Sequence, residues 1–444
     1  MLKNEEKIFD FIGVGVGPFN LGLACLTDPI TELDGIFLDK KEKFNWHPGM
    51  LLQDTTLQIP FMADLVTLAD PTSPFSFLNY IKEQGRIYSF YIRENFLLLR
   101  NEYNQYCQWA IRKLSNIYFE TEVTQVTYSN KDKYYTVLSK CTRTQDTTIY
   151  RTRKLILGTG TQPYIPNCCQ NLKGKTIHSS SYLTHKKNLQ SKKKITVLGS
   201  GQSAAEIFYD LLQDIDQLGY ELNWITRSPR FFPLEYSKLT LEMTSPEYVN
   251  YFYNLTAEKR DHLIKDQKHL YKGINQDLIA NIYDLIYTKK LTNNVSINLR
   301  TNSELVKATY DDVLDSFYLE LHQHEQDKYY QHHTDGLILS TGYTYHEPEF
   351  ISGIRDRIRW DDKRRYKVHR NYAIDNEGMD IFVQNAELHT HGFVTPDLGM
   401  ACYRNSYIIK ELTGTDYYPI EKQIAFQQFE VTEEEEIKKE TPVV

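Results

Sequence analysis

The strongest constraint on this chain is a glycine-rich turn that occurs twice, each time between a short apolar strand pattern and an apolar-periodic helix pattern. The first follows residues 8–12 and reads Gly13-Val14-Gly15-Val16-Gly17-Pro18 before the apolar stretch 19–26. The second follows Lys194–Leu198 and reads Gly199-Ser200-Gly201-Gln202-Ser203-Ala204. After it, Ile207, Phe208, Leu211, Leu212 and Ile215 fall on one helical face. Strand, glycine turn and helix together make a dinucleotide site: the glycines let the backbone approach a pyrophosphate, and the helix N-terminus offers free N–H groups and partial positive charge.

The residue that closes each unit distinguishes the two nucleotides. The strand Gly35–Leu38 ends in Asp39, an acceptor suited to a ribose diol; since FAD precedes NADPH in the usual order of flavoproteins, this unit is expected to hold FAD through Gly13, Gly15, Gly17, Pro18 and Asp39. The strand 222–226 ends instead in Arg227, which would pair with a 2'-phosphate where an acid would repel it. NADPH, held by Gly199, Gly201, Gln202, Ser203 and Arg227, is the expectation there. Two further buried-strand patterns end in small-residue turns, Gly158-Thr159-Gly160 and Ser340-Thr341-Gly342-Tyr343, and suit a chain crossing between two nucleotide domains.

A chain of 444 residues has the length for two or three domains and a cleft between them. A net charge of -7 without a basic stripe argues against nucleic acid. The N-terminus lacks a signal-peptide pattern and no apolar run is long enough for a bilayer, so a cytoplasmic protein without membrane contact is expected. Cys25, Cys107, Cys141, Cys168, Cys169 and Cys402 form neither a CxxC pair nor a disulfide framework, which fits a reducing compartment and no metal. A flavin disulfide reductase would need a redox cysteine pair; Cys168 and Cys169 are adjacent, and such bridges are strained. His47, His389 and His391 read as packing and hydrogen-bonding groups, because the HxH pair lacks a third ligand.

On DFIGVGVGPFNL, FNWHPGMLLQDTTLQIPFMADLVTLADPTSPFSFLNY, VLGSGQSAAE, LSTGY and NAELHTHGFVTPDLG, the chain resembles the flavin-dependent N-hydroxylating monooxygenases of siderophore biosynthesis over about residues 7 to 425. The resemblance implies an α/β fold of two doubly wound, Rossmann-like dinucleotide-binding domains with a smaller, partly helical substrate region. The expected boundaries are FAD domain 1–185, NADPH domain 186–334 with a substrate insertion at about 235–290, FAD-domain return 335–428, and a mobile acidic tail 429–444. It also implies that NADPH reduces FAD, that O2 forms a C4a-hydroperoxide, and that a substrate amine takes its distal oxygen. A homo-oligomer, often a tetramer in the family, is implied as well. Trp46, His47, Gln58, Thr341, Gly342 and Tyr343 are expected at the cofactors, with Gln58 ordering the flavin side.

Since the cofactor carries the reactive oxygen, the protein needs neither a triad nor a metal. It must instead supply a neutral amine. With a pKa near 10.4, presenting that form at pH 7 costs about 4 to 5 kcal/mol, which a dry, neutral pocket offsets.

The amino-acid hydroxylases of the family resemble FMKDL, with a lysine for the substrate carboxylate, where this chain has Ala63. Gly399 stands where they carry a serine. A carboxylate buried without its cation costs several kcal/mol. The sequence therefore resembles the diamine branch, which hydroxylates putrescine or cadaverine; histamine, lysine and ornithine are the alternatives. Asp397 is the first candidate to accept the distal ammonium, with Glu235 and Glu242 behind it; capping of the following helix is the competing role for Asp397.

Overall fold

The computed structural model describes residues 2–292 and 294–437, with side chains from residue 7. Its main sheet has seven strands. Ile117–Tyr118, Gly35–Leu38, Leu2–Val14 and Thr147–Leu157 run side by side in parallel, then Tyr134–Cys141 and Thr121–Ser129 continue as an antiparallel meander. The late strand Ile381–Val383 returns to pair in parallel with Thr147–Leu157. The N-terminal strand starts earlier than the apolar pattern suggests, because Leu2, Lys3 and Asn4 pair with 147–149 before a bulge.

The second sheet is wholly parallel, in the order Ile177–His178, Gly336–Leu339, Lys194–Leu198, Glu221–Ile225 and Ile297–Arg300. Ile177–His178 and Gly336–Leu339 lie outside the expected 186–334 limits, and the other three strands lie inside them. A three-stranded antiparallel sheet, 303–334, is set between its last two strands in sequence. The expected α/β fold with two dinucleotide-binding sheets is therefore present. Strands buried on both faces read as continuous apolar runs, as in Leu337, Ile338 and Leu339.

Each sheet is covered by the helix that follows its glycine turn. Pro18–Thr27 packs on 401–413, and Phe11 meets Phe37 edge-on at 5.5 Å beneath it. Gln202–Leu218 buries the predicted face, with Phe208 stacked on Trp224 at 4.9 Å. The 235–290 stretch is mainly helical: Lys238–Leu241, Pro246–Asn254, Ala257–Asp266, His269–Lys272 and the start of Gln276–Thr292. Its apolar centre, Tyr248, Val249 and Phe252, is completed by Phe393, Val394, Met400 and Tyr403 from the return segment. Residues 438–444 of the expected tail lie outside the described residues. Within the described part, Phe429 packs on Tyr248 at 5.1 Å.

Candidate active site

Backbone geometry corrects the register of the first fingerprint. The Gly15 N–H donates to Leu38 O at 2.8 Å, and the Gly199 N–H donates to Ile225 O at 3.0 Å. Gly17 and Gly201 are the N-caps of their helices with nearly identical angles, φ -99°, ψ 178° and φ -97°, ψ -178°. The equivalent fingerprints are thus Gly15-x-Gly17-x-x-Asn20 and Gly199-x-Gly201-x-x-Ala204. Gly13, expected in the turn, lies inside the strand, where an added Cβ would meet Phe37 at 2.3 Å. It does not line the cavity.

The two crossover turns close on these glycines. Gly15 has φ +91°, and a Cβ there would stand 2.4 Å from Gly158 O; Gly199 has φ +145°, and its Cβ would stand 2.2 Å from Ser340 O. A side chain at either place would drive the crossover away.

Both turns open into one cavity of about 2820 Å³, well above the roughly 300–1,000 Å³ of an ordinary ligand pocket. Gly15, Gly17, Pro18, Asp39, Trp46, His47, Gln58, Gly199, Gly201, Gln202, Ser203, Arg227, Thr341, Gly342 and Tyr343 all line it.

The residues on the first side suit a flavin dinucleotide. Among the described residues, and apart from its own chain neighbours and helix backbone, nothing lies within 4 Å of a Cβ built on Gly17, so the helix N-terminus is open to a pyrophosphate. Asp39 accepts the Val16 N–H at 2.7 Å on one oxygen and the Lys41 N–H at 2.8 Å on the other, leaving each a further lone pair. Asn20, buried, donates to Gly15 O at 2.7 Å and accepts from the Gln384 amide at 2.7 Å. Gln384 lines the cavity, and its buried Oε1 has no hydrogen-bond partner among the described residues. Asn20 would have been legible at the third fingerprint position once the register was read one glycine later; Gln384 carries no motif signal.

Between the two turns runs a chain of side chains. Gln58, on the strand Thr56–Pro60, donates to Gln202 Oε1 at 2.8 Å. That oxygen also accepts the Asn275 N–H at 2.8 Å, and Gln202 Nε2 donates to Glu206 at 2.8 Å. Glu206 takes both guanidinium nitrogens of Arg100 at 2.7 Å. Burial first, then Arg100 and Lys41, bring the His47 imidazole down to about 4, and its ring meets Tyr343 edge-on at 5.7 Å. Trp46 packs edge-on against His47 and Tyr103. His178 holds Gly342 O at 3.1 Å, and Thr341 is anchored to Tyr164 O. Burial also holds His389 and His391 below the ordinary range; they bond Tyr366 O at 2.7 Å and Arg370 O at 3.2 Å. No group of three His, Cys, Asp or Glu among the described residues is placed to hold a metal ion.

On the nucleotide side of the second sheet, Arg227 is exposed and only 3.8 Å from Glu304. Lys268 and Lys272, missed in the sequence although Lys272 stands next to Gly273 in YKGI, share the cavity wall with it. Burial, then repulsion from Arg227, keeps Lys268 below its ordinary range; burial, Lys268 and Arg227 do the same to Lys272. Neither lysine has an acidic partner among the described residues. Two lysines without an acidic partner beside Arg227, whose one carboxylate neighbour is Glu304, leave an excess of positive charge facing one space, which suits an anion.

The substrate candidates separate. Asp397 lines the cavity; one oxygen caps the Gly399 N–H at 2.7 Å, and the other has no hydrogen-bond partner among the described residues. Burial raises its pKa, partly offset by that N–H and by Arg404. A Cβ on Gly399 would lie 3.2 Å from Asp397 Oδ1 and 3.9 Å from the Ala63 Cβ. Ala63 and Gly399 thus adjoin behind the carboxylate, off the cavity wall. Glu235 lines the cavity but is bonded to Thr240 at 3.1 Å and His269 at 3.0 Å. Glu242 is not on the wall; its oxygens hold the backbone of Phe426 and Gln427 at 3.0 Å. The sequence had no means of showing a contact across that separation.

Two dinucleotide turns, a ribose acceptor and a cluster of cations around one cavity define a flavin- and nicotinamide-dependent oxidoreductase. Residues 7–345 match the family model for L-lysine 6-monooxygenase/L-ornithine 5-monooxygenase. The chain is 55% identical over 425 residues to a putrescine N-hydroxylase of Shewanella oneidensis, covering 96% of this chain and 85% of that protein. The structure of DfoA, a cadaverine monooxygenase of the desferrioxamine pathway of Erwinia amylovora bound to FAD, superposes with a TM-score of 0.94 at 57% identity, covering 96% of this chain and 99% of that one. An ornithine N-hydroxylase of Kutzneria sp. 744 with FAD, NADP+ and L-ornithine gives 0.84 at 25% identity, over 91% and 99%. The chain belongs to the L-lysine 6-monooxygenase/L-ornithine 5-monooxygenase family of flavin-dependent N-hydroxylating monooxygenases, and its cofactors are FAD and NADPH.

Proposed function

We propose that this protein hydroxylates one primary amine of a short aliphatic diamine, putrescine or cadaverine, as a step toward a hydroxamate siderophore. The balance is R-NH2 + O2 + NADPH + H+ giving R-NHOH + NADP+ + H2O. Bound FAD, reduced by NADPH, supplies the activated oxygen. The observation that carries the diamine reading is the uncommitted oxygen of Asp397 on the cavity wall, beside two positions, Ala63 and Gly399, that offer nothing to a carboxylate. Asp397 anchors the distal ammonium, while the uncharged side chains of His47, Gln58 and Tyr343, with the cationic Arg100 beyond them, favour the uncharged form of the reacting amine. The relatives named above, which act on putrescine and cadaverine, support the same reading.

The test is hydroxylamine formation from putrescine, cadaverine, histamine, lysine and ornithine at equal concentration. The diamines are expected to lead; a larger yield from lysine or ornithine overturns the reading. NADPH loss alone is a poor measure, because uncoupled oxidation also consumes it.

The first glycine turn, with Asp39 and the return segment, holds FAD in this reading, and the second holds NADPH. Arg227, Lys268 and Lys272 share the 2'-phosphate. Arg227→Ala and Lys272→Ala are each expected to raise the KM for NADPH about tenfold or more, a loss near 1.5–3 kcal/mol for a bond to a charged group, while leaving that for NADH within twofold. Steady-state kinetics with both nucleotides checks this; equal effects would remove these residues from 2'-phosphate recognition.

The protein works in the cytoplasm as a homo-oligomer in this reading. The helix Ile87–Arg93 buries none of its residues and leaves Tyr88, Tyr91 and Ile92 about three-quarters exposed, a patch suited to a second copy. Among the described residues no helix is long and apolar enough to cross a membrane.

A further inference from the structure

After the helix Ala401–Thr413 the chain does not leave the molecule. Tyr418 first ties it to the FAD-side helix by donating to Leu26 O at 2.7 Å. Residues 424–427 then cross to the substrate region and are held there by two carboxylates. Glu247 accepts the Ile424 and Ala425 N–H groups at 2.6 and 2.8 Å. Glu242 accepts those of Phe426 and Gln427 at 3.0 Å each and the Gln427 side-chain amide at 2.9 Å. Gln427 also donates to Leu239 O at 2.6 Å, and Phe429 caps Tyr248. Four successive backbone donors on two carboxylates form a built latch, since each bond to an ionised acceptor is stronger than a neutral one.

The latched element matters because it forms part of the cavity wall. Glu235, Tyr236, Thr240, Leu241 and Thr244, in and around the four-residue helix Lys238–Leu241, line the cavity, and none of that helix is buried. Tyr236 is raised in pKa by burial and by the charge of Asp397, which places it in the field of the proposed ammonium anchor. A helix of one turn has little stability of its own.

We infer that Glu242 and Glu247 are positioning residues for the amine substrate: by clamping residues 424–427 they hold the segment 235–244 against the Asp397 side of the cavity. This inference rests on the diamine reading above. The clamp spans the FAD-side helices and the substrate region, and touches neither glycine turn. Its loss therefore acts on the amine and leaves the nucleotides alone. When only a fraction of molecules carries the ordered wall, the apparent affinity falls by that fraction; an ordered population of about one in ten gives an about tenfold higher KM.

The experiment uses the full-length, FAD-loaded enzyme with Glu242→Ala, Glu247→Ala and both together. The double variant is expected to raise the diamine KM about tenfold, with kcat and the NADPH KM within twofold and a larger share of NADPH oxidised without hydroxylamine. Amide exchange is expected to quicken in 235–244 and 424–427 while the strands beside the glycine turns keep their protection. An unchanged diamine KM in a variant whose 235–244 amides do exchange faster overturns the positioning role. Unchanged exchange in both segments overturns the latch itself. If the wild-type protein hydroxylates no diamine, the functional reading fails, and amide exchange still decides the latch.

Discussion

Asp397→Asn is expected to lower kcat/KM for a diamine by roughly 30-fold to several thousandfold, corresponding to the about 2–5 kcal/mol lost when one partner of a desolvated charge pair is removed. The substitution is nearly isosteric, and the Asn oxygen can still cap the Gly399 N–H, so the loop and the flavin content should persist. What disappears is the negative charge that the distal ammonium meets. Burial lifts the Asp397 carboxyl above the ordinary carboxylate range. As pH falls through that raised pKa the anchor is neutralised, so kcat/KM declines on the acid side at a higher pH than for an exposed aspartate. Above it the anchor is fully charged. The Asn variant should lose this acid limb while the flavin reduction rate keeps its wild-type profile. An unchanged diamine KM in Asp397→Asn would move the ammonium elsewhere, with Glu235 next on the wall.

The second large effect is on stability. Glu387 and Arg404 form an ion pair at 2.7 Å in which both side chains are almost wholly excluded from solvent. Arg404 also donates to Thr395 O at 2.8 Å and lies over the Phe19 ring at 4.5 Å, while Glu387 accepts the Ala386 N–H at 2.7 Å. The pair therefore bolts the 388–400 loop, which carries Asp397, to the first dinucleotide helix. Glu387→Ala leaves a buried guanidinium without its counter-charge and is expected to cost about 3–5 kcal/mol in denaturant unfolding of the FAD-loaded protein. Replacing both partners with apolar residues of similar volume, as in Glu387→Leu with Arg404→Met, should recover much of that loss. If the single substitution costs less than about 1 kcal/mol, water reaches the pair and the bolt is not one.

The sequence carried the architecture because each dinucleotide unit is a local device: strand, turn and helix are contiguous, and their glycines answer to backbone geometry within a few residues. The register of the first turn is obscure in the sequence because Gly13, Gly15 and Gly17 alternate; the hydrogen bond from Gly15 to Leu38 and the place of Gly17 at the helix N-cap distinguish strand from turn. The cations Lys268 and Lys272 were obscure because they sit on a helical insertion remote in sequence from Arg227. Glu242 was drawn toward the substrate by its neighbours in sequence, whereas its charge is committed to a segment near the other end of the chain. Asp397 was legible as an acid beside a small residue. That it keeps one oxygen for the cavity is a property of the folded loop.

The chain of amides between the two turns has a direction. Arg100 is a donor that does not switch, so Glu206 must accept; Gln202 must then turn its NH2 toward Glu206 and its oxygen toward Gln58, and Gln58 must answer with its own NH2. The orientation of Gln58 is thereby decided by a guanidinium three side chains away, and its carbonyl is the end left over. In the proposed function, a Gln58 carbonyl turned to the cavity would accept an N–H from an amine and would offer nothing to a carboxylate, so the Arg100 guanidinium would reach the substrate only as the orientation of that amide.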